Sequence, residues 1–216
     1  MIVAIDGGVA SGKSAVGRRV AEALGLQFVD SGLMYRAITR LAAERGLDPH
    51  DAEAVTEVAR TTPIRIDGER VWAHGAELTE GIYDTDLADA LPVISAIPGV
   101  REALVEQQRE MGEKGVVMAG RDIGTVVFPN ADHKFFLVAS PAEKVRRRAM
   151  QYERRGERVD EETMRKEVEA RDRVDSERSV APLRPAEDAI VIDTDNLSVD
   201  EVVETILRTI RERSAK

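Results

Sequence analysis

The glycine-rich segment at residues 7–14 is the part of the sequence whose residue types and spacing most directly indicate chemistry. It reads Gly7-Gly-Val-Ala-Ser-Gly-Lys-Ser14 and fits the pattern G-x-x-x-x-G-K-[ST]. Glycines let main-chain N–H groups curl around a phosphate, and a helix that begins at Lys13 directs its positive dipole end at the same anion. Lys13 is therefore predicted to reach the β- and γ-phosphate oxygens, and the Ser14 hydroxyl is predicted to bind Mg²⁺. The predicted ATP-binding residues are Gly7, Gly8, Val9, Ala10, Ser11, Gly12, Lys13 and Ser14.

The surroundings of this segment match what a phosphate-binding loop requires. Residues 2–5 form a continuous apolar run that predicts a buried strand, and apolar residues at helical spacing follow from Val16 to Leu24. The alternative, a glycine-rich turn with an incidental lysine, is disfavoured by this context. The loop predicts binding of MgATP or MgGTP but does not identify the group that accepts the phosphate.

Two further polar segments follow predicted strands. Asp30-Ser-Gly-Leu-Met-Tyr-Arg36 comes after a strand at residues 26–29, and Gly120-Arg-Asp122 comes after a strand at residues 116–118. Parallel sheets bind ligands beyond the carboxyl ends of their strands, so both segments are expected beside the phosphate loop. A tyrosine and arginines placed there suit a second, anionic substrate. For Arg36 alone, a solvated charge at a helix start is an equally good interpretation.

Composition and charge exclude several classes of function. The chain has 216 residues, of which 43% are hydrophobic and 33% charged, and its formal net charge is −9. This balance disfavours a general nucleic-acid binder, which needs a cationic surface. The absence of cysteine excludes disulfides, zinc–thiolate sites and a cysteine nucleophile. The first residues are predicted to be a strand rather than a signal peptide, and no apolar run approaches membrane-spanning length. A cytoplasmic protein without membrane partners is predicted, and a monomer because no long apolar surface stripe is left over.

The pattern of elements predicts an α/β fold with a mostly parallel sheet and helices on both faces. Helices are predicted near residues 14–24, 33–45, 98–112, 141–155, from 160 onwards and from 198, with further strands at 135–138 and 189–192. Between residues 61 and 72 the alternation Ile64-Arg-Ile66, the turn Asp67-Gly68 and the return strand Arg70–Trp72 predict a small antiparallel β insertion. The charged stretch at residues 154–162 is a candidate for a mobile flap.

Three segments together resemble the bacterial cytidylate kinase family. Asp30–Ala37 matches the pattern D-[ST]-G-x-x-Y-R-A, and Gly120–Pro129 matches G-R-D-[IM]-G-T-V-V-F-P. Arg171–Leu183 matches R-D-x-x-D-x-x-R-x-x-A-P-L, and the resemblance extends in order from residue 1 to about residue 213. It implies a P-loop NTPase fold and transfer of the γ-phosphoryl group of MgATP to CMP and dCMP. It also implies three units: a P-loop core (1–35, 115–141 and 183–216), a monophosphate-binding domain with the β insertion (36–114), and a helical lid with a flanking helix (142–182).

The resemblance also implies roles for individual residues. Arg36 and Arg121 match positions that hold the acceptor phosphate, where guanidinium groups bind bidentately. Positions that read the cytosine edge match Arg101, Asp122 and Arg178: a carboxylate accepts from the N4 amine, and arginines donate to O2 and N3. Sugar-side positions match Arg171 and Asp175. The predicted CMP-binding residues are Ser31, Tyr35, Arg36, Arg101, Arg121, Asp122, Arg171, Asp175 and Arg178.

The arginines of residues 146–158 resemble the family's lid. On closure, Arg148 or Arg155 is expected to reach the transferring phosphate and to help exclude water. The alternative is a solvated helical face paired with neighbouring glutamates. The predicted catalytic residues are Lys13, Arg121, Arg148 and Arg155. No serine–histidine relay is needed, because the acceptor phosphate is itself a competent nucleophile; His50, His74 and His133 are predicted to be surface or loop residues.

The sequence departs from the family pattern at two positions. Ala119 stands where the family has an acidic residue before Gly-Arg-Asp, so the acid near the metal is expected to be Asp30 or Asp6. Pro92 stands where the family has a serine that contacts cytosine, and Ser95 is a possible replacement.

Two other functions remain open from the sequence. One is a P-loop kinase for another acceptor, such as UMP, AMP, shikimate or gluconate. The other is a nucleotide-dependent switch without transfer activity. The carboxylate of the Gly120–Asp122 segment and the β insertion weigh against the first, and the arginines at 36, 101, 121 and 178 weigh against the second.

Overall fold

The computed structural model describes residues 1–154 and 156–214. Eight strands and eight α-helices are present in this part of the chain. In chain order they are β1 (Ile2–Gly7), α1 (Lys13–Leu24), β2 (Gln27–Asp30), α2 (Ser31–Glu44), α3 (Ala52–Thr61), β3 (Ile64–Asp67), β4 (Arg70–Ala73), β5 (Ala76–Glu77), α4 (Ala90–Ala96), α5 (Pro98–Met111), β6 (Val116–Gly120), β7 (His133–Val138), α6 (Pro141–Arg154), α7 (Glu161–Glu177), β8 (Ile190–Asp193) and α8 (Val199–Ser214). Two short helical turns, a 3-10 turn at Thr85–Leu87 and a π-helical turn at Ile123–Val127, complete the set.

The central sheet contains five parallel strands in the order β2-β6-β1-β7-β8. Asp6 of β1 is in register with Gly120 of β6, and Asp30 of β2 is in register with Ala119. The carboxyl ends of these three strands therefore lie side by side. This confirms that the phosphate loop, the Asp30 segment and the Gly120 segment share one edge of the sheet.

The residues of β1 alternate between two apolar cores. Val3 and Ile5 belong to the core formed with α1 and α8, whereas Ala4 belongs to the larger core formed with α2, α3 and α5. Both faces of a parallel sheet must be covered, because each strand presents apolar side chains on alternate sides. The predicted α/β fold with helices on both faces is confirmed.

The β insertion is a three-stranded antiparallel sheet in the order β3-β4-β5. Its turn contains Gly68 with φ of +61°, as the Asp-Gly dipeptide predicts. The helix α3 just before it was not predicted, although Asp51 caps it by accepting from the Ala54 N–H at 3.0 Å. Helix α4 was also missed; it is only seven residues long and contains Pro92.

Helices α6 and α7 form a hairpin with a small apolar cluster of its own, made by Val145, Tyr152 and Met164. The carboxylate of Asp160 accepts from the Thr163 N–H at 2.9 Å and caps α7, as predicted for a helix that resumes there. Arg155, to which the first of these helices was expected to extend, lies outside the described residues.

One histidine prediction is wrong. His50 and His74 are exposed as expected, but His133 is buried at the start of β7, in register with Val3. Burial lowers the pKa of His133, because a neutral imidazole is cheaper to remove from water than a charged one. No helix in the described part of the chain is both long and apolar enough to cross a membrane.

Candidate active site

The phosphate loop connects β1 to α1 through two left-handed backbone positions. Ala10 has φ of +53° and Gly12 has φ of +91°, and α1 begins at the next residue. A Cβ at Gly7 would collide with the carbonyl oxygen of Leu137, so only glycine lets β1 and β7 approach this closely. The sequence therefore folds this segment into an open turn of main-chain amides at the start of a helix.

Lys13 lies inside this loop rather than in solvent. Its Nζ donates to the Gly8 carbonyl oxygen at 2.6 Å and lies 3.4 Å from the Ser11 Oγ. Burial lowers the pKa of Lys13 well below its usual value, and the positive charge of Arg121 lowers it further. The side-chain nitrogen of Lys13 is thus held inside the loop, where the charge of Arg121 acts on it.

Asp30, one of the two acids that the sequence offered, lies beside the loop. The Ser14 Oγ donates to Asp30 Oδ2 at 2.5 Å, while Asp30 Oδ1 accepts from the Gly32 N–H at 2.9 Å. Of the two acids that the sequence offered, Asp30 is therefore the one in contact with Ser14.

Asp6 instead supports the Gly120–Asp122 segment. Its two oxygens accept from the N–H groups of Ile123 at 2.9 Å and Gly124 at 2.7 Å. Burial raises the pKa of Asp6 to about 6, although these two hydrogen bonds oppose the rise. Asp6 thus ties the end of β1 to the turn that carries Arg121 and Asp122.

Asp122 is buried between two arginines. Arg101 Nη2 lies 2.5 Å from Asp122 Oδ2, and Arg178 Nη2 lies 3.7 Å from Oδ1. The Arg101 guanidinium also lies 5.2 Å from the centroid of the Tyr35 ring. Burial raises the pKa of Tyr35 to about 12, so its hydroxyl stays protonated. The structure thus brings together all three residues predicted to read the cytosine edge.

Asp175 lies at the centre of a second group of arginines. Its Oδ2 accepts from Arg121 Nε at 2.7 Å and from Arg171 Nε at 3.3 Å, and its Oδ1 lies 3.8 Å from Arg178 Nη1. Burial alone would raise the pKa of Asp175, but Arg121 and Arg171 hold it below its usual value. Arg121 therefore connects the acceptor side to Lys13.

The cationic charge around Arg171 exceeds what this one carboxylate neutralises. Burial lowers the pKa of Arg171 to about 10; Asp175 opposes the change, while Arg121 and Arg36 add to it. The charges of Arg121 and Arg36 thus disfavour the charge of Arg171. Such a group of arginines suits a dianion such as a phosphate, because the ligand would relieve the repulsion.

Ser31 and Arg36 begin the helix that follows β2. The Ser31 Oγ donates to the Ala119 carbonyl oxygen at 2.9 Å, which joins the ends of β2 and β6. The Arg36 guanidinium lies 4.6 Å from the centroid of the Tyr83 ring, and its Nη1 lies 3.5 Å from the Ile82 carbonyl oxygen.

Several buried polar atoms around the acceptor site make no hydrogen bond within the described residues. They are Tyr35 Oη, Arg101 Nε, Gln108 Nε2, Arg171 Nη1, Asp175 Oδ1 and Arg178 Nη2. An unsatisfied buried polar atom costs about 1–3 kcal/mol, so a cluster of them indicates a site built for a polar ligand. Gln108 was not predicted as a site residue. The sequence feature that could have indicated it is a polar residue on the buried face of α5, seven positions after Arg101.

Ser95 belongs to the same site. Its Oγ accepts from Arg171 Nη2 and donates to the Pro92 carbonyl oxygen, both at 3.2 Å. Its own carbonyl oxygen accepts from Arg101 Nη1 at 3.0 Å. A serine hydroxyl is thus present at this wall of the site, one helical turn after the position at which the sequence has Pro92.

The predicted lid arginines are placed differently from one another. Arg148 faces α7: its Nη2 lies 3.2 Å from the Tyr152 hydroxyl and 3.6 Å from Glu167 Oε2. Arg155 lies outside the described residues. Arg147, which the sequence did not single out, lies beside the loop: its Nη1 lies 3.6 Å from the place a Gly12 Cβ would take and donates to Thr194.

The chain is similar in sequence to proteins of one known family. A profile of the family described as cytidylate kinase matches residues 3–212. A cytidylate kinase from Anoxybacillus flavithermus is 46% identical over 98% of this chain and 96% of its own length. One from Bacillus subtilis is 43% identical over 98% and 97%, respectively.

The crystal structure of an uncharacterized protein from Eubacterium ventriosum is similar in fold. The structural alignment covers 98% of both chains with a TM-score of 0.50 at 17% sequence identity, so the similarity concerns the fold alone. With the phosphate loop, the parallel sheet and the near full-length matches in sequence, the chain has a P-loop kinase fold and belongs to the cytidylate kinase family.

Proposed function

We propose that this protein transfers the γ-phosphoryl group of ATP to CMP and dCMP, giving ADP and CDP or dCDP. The observation that carries the proposal is the position of Arg121. Its side chain donates to Asp175 in the arginine-rich site, and its charge acts on Lys13 in the phosphate loop. An anion held on either side of Arg121 would lie next to the other, as in-line transfer between two phosphates requires.

The donor side consists of the loop residues Gly7 to Ser14. The amides of this loop other than the Val9 N–H, which donates to Asp172, and the Lys13 ammonium would bind the β- and γ-phosphates. The Ser14 hydroxyl and the Asp30 carboxylate offer hard oxygen ligands 2.5 Å apart, which suit Mg²⁺ directly or through water. Bound Mg²⁺ would neutralise charge on the phosphate oxygens as it develops.

On the acceptor side, different residues would bind the phosphate and the base. Arg36 and Arg121 would hold the monophosphate. Asp122 would accept from the N4 amine of cytosine, and Arg101 and Arg178 would donate to O2 and N3; uracil presents an acceptor at C4 and would repel the carboxylate. Asp175 and Arg171, with Ser95 beside them, would face the sugar. Ser31 and Tyr35 would support this wall of the site.

These residues orient the two anions and supply positive charge, and no general base is required. Phosphoryl transfer passes through a state with charge spread over the transferring oxygens, which Lys13 and Arg121 would stabilise. The helical hairpin α6–α7 would act as a lid, with Arg148 or Arg155 turning towards the phosphate and excluding water.

The division into units follows the same proposal. Residues 1–35, 115–141 and 183–216 would form the core, 36–114 the monophosphate-binding domain, and 142–182 the lid and its flanking helix. A cytoplasmic location and a monomeric state stay predictions from the sequence.

A coupled assay of ADP production tests the proposal. ATP is supplied with CMP, dCMP, UMP or AMP, and CMP and dCMP are expected to give the highest kcat/KM. Equal rates with UMP would contradict the role of Asp122, and no turnover with any monophosphate would favour a nucleotide-dependent switch. Turnover with AMP alone would indicate a different acceptor class.

A further inference from the structure

Asp172 touches the phosphate loop from a helix that also touches the acceptor site. Its Oδ1 accepts a hydrogen bond from the Val9 N–H at 2.9 Å. Val9 is in the loop and Asp172 is in α7, 163 positions later in the chain. The predictions from the sequence assign no role to this carboxylate.

The loop is shaped to admit this carboxylate. A Cβ at Gly8 would lie 2.8 Å from Asp172 Oδ1 and 3.1 Å from Oδ2, so a side chain there would displace the carboxylate from this position. The second oxygen, Oδ2, lies 2.5 Å from the Lys144 Nζ of α6. Asp172 thus joins the loop, α6 and α7 at one point.

The residues on either side of Asp172 face the acceptor site. Arg171 Nη2 donates to Ser95 Oγ at 3.2 Å, and Asp175, on the next turn of α7, accepts from Arg121 Nε at 2.7 Å. Neighbouring residues of one helix move together, because intrahelical hydrogen bonds fix their spacing. A shift of the loop at Val9 is therefore passed through Asp172 to Arg171 and Asp175.

We propose that Asp172 is a positioning residue that couples occupation of the ATP loop to the arrangement of the CMP site. This inference rests on the proposed function. Coupling between two ligands is reciprocal: if bound CMP tightens ATP binding by some factor, bound ATP tightens CMP binding by the same factor. The hydrogen bond from Val9 to Asp172 is the direct link through which this factor acts.

The test measures the coupling factor rather than activity. The dissociation constant of the non-hydrolysable analogue AMP-PNP, with Mg²⁺, is determined by calorimetry with and without saturating CMP. In the wild-type chain CMP is expected to tighten binding by about fivefold or more. Asp172→Ala removes the acceptor for Val9, and the factor is expected to fall to within about twofold of one. The affinity for CMP alone should change far less.

Three variants separate the hydrogen bond from the ion pair. Asp172→Asn keeps an oxygen for the Val9 N–H, and Lys144→Met keeps the whole carboxylate, so both are expected to retain most of the coupling. Gly8→Ala places a methyl group against the Asp172 carboxylate and is expected to lower the coupling factor as Asp172→Ala does. If Asp172→Ala does not fold, the coupling factor is measured on Gly8→Ala instead.

Glu162→Gln is the matched control. It removes a carboxylate from the same helix, where Glu162 pairs with Lys166 at 2.7 Å and both side chains are exposed, so the coupling factor should not change. A coupling factor that is the same in wild type, Asp172→Ala and Gly8→Ala overturns the inference, even where all three bind CMP. Failure of the wild type to bind CMP alone overturns the proposed function, and the inference with it.

Discussion

Arg101 and Asp122 form a buried ion pair across the acceptor site, with Arg101 Nη2 2.5 Å from Asp122 Oδ2 and both side chains almost fully removed from solvent. Arg101 belongs to α5, and Asp122 lies in the turn after β6, 21 positions later in the chain. Two groups of opposite charge in this environment are fixed in orientation, because moving either one leaves the other buried and unpaired. A rigid carboxylate of this kind can distinguish a donor from an acceptor on a base edge.

We expect Asp122→Ala to weaken discrimination between CMP and UMP more than ATP binding. The ratio of the two kcat/KM values should fall by about 5–150-fold, which corresponds to the 1–3 kcal/mol of one specific base contact. The coupled assay with both monophosphates measures it. Glu77→Ala, which removes an exposed ion pair with Arg70, serves as the control and should leave the ratio unchanged. Equal losses toward CMP and UMP would argue against a base-reading role.

Lys13→Ala is expected to abolish measurable turnover. The buried ammonium lies inside the phosphate loop, and removal of one preorganised charge at a transition state costs about 10²–10³ in kcat or more. The rate of ADP production with saturating CMP is the measurement. Lys166→Ala, an exposed lysine of α7, is the control. A Lys13→Ala variant with more than about a tenth of the wild-type kcat would be incompatible with this role.

Asp30→Asn is expected to raise the Mg²⁺ concentration needed for half-maximal activity. Asp30 contacts the Ser14 hydroxyl, and the loss of a partner to a metal ligand lowers metal affinity by about 10–100-fold. A titration of activity with Mg²⁺ at fixed ATP checks the shift. At saturating Mg²⁺ most of the activity should return. An unchanged midpoint would mean that Asp30 acts only as the cap of α2.

Arg148→Met tests the proposed lid. Arg148 is held by Tyr152 and Glu167, so it has to leave these partners to reach a phosphate. We expect kcat to fall by about a hundredfold with little change in the KM for CMP, because the contact would form only as the lid closes. Arg146→Met is the control, since Arg146 is an exposed arginine of the same helix paired with Glu143. Equal effects of the two variants would assign Arg148 to the solvated face.

The pKa of Asp6 makes a prediction about stability and pH. It is about 6 in the folded chain, against an ordinary value of 3.8. Between these two values the folded state binds more protons than the unfolded state, so the free energy of unfolding falls as the pH rises from about 4 to about 6. A difference of roughly two pKa units corresponds to about 3 kcal/mol, lost by neutral pH and present below about pH 4.

Asp6→Asn isolates this contribution from the other carboxylates, several of which have lowered pKa values and the opposite sign. Urea unfolding of both chains at several pH values gives the difference in stability. The stability of wild type relative to Asp6→Asn should decrease from pH 4 to pH 7 by that amount. A difference that is constant or that grows with pH would show that Asp6 ionises at its ordinary pKa when folded.

The sequence predicted where the three motifs lie better than it predicted some of the elements around them. The motifs at residues 7–14, 30–37 and 120–129 each follow a strand, and the register of β1, β2 and β6 places them together, as expected for parallel strands. Helix α3 was missed although the Asp51 cap and the helical spacing of Val55, Val58 and Ala59 are local signals. Helix α4 was missed because it is only seven residues long and contains Pro92. His133 was misplaced because the strand β7 begins two residues before the apolar run that predicted it.

By itself the sequence determined the phosphate loop, the alternation of strands and helices, and the membership of the family, because these depend on residue type and local spacing. The tertiary structure decided which acid contacts Ser14, that Asp6 instead holds the turn after β6, and that Asp172 touches the loop. Such contacts join residues 16 to 163 positions apart, and no local pattern specifies them. They are fixed only when the helices pack on the sheet and decide which polar side chains are buried together.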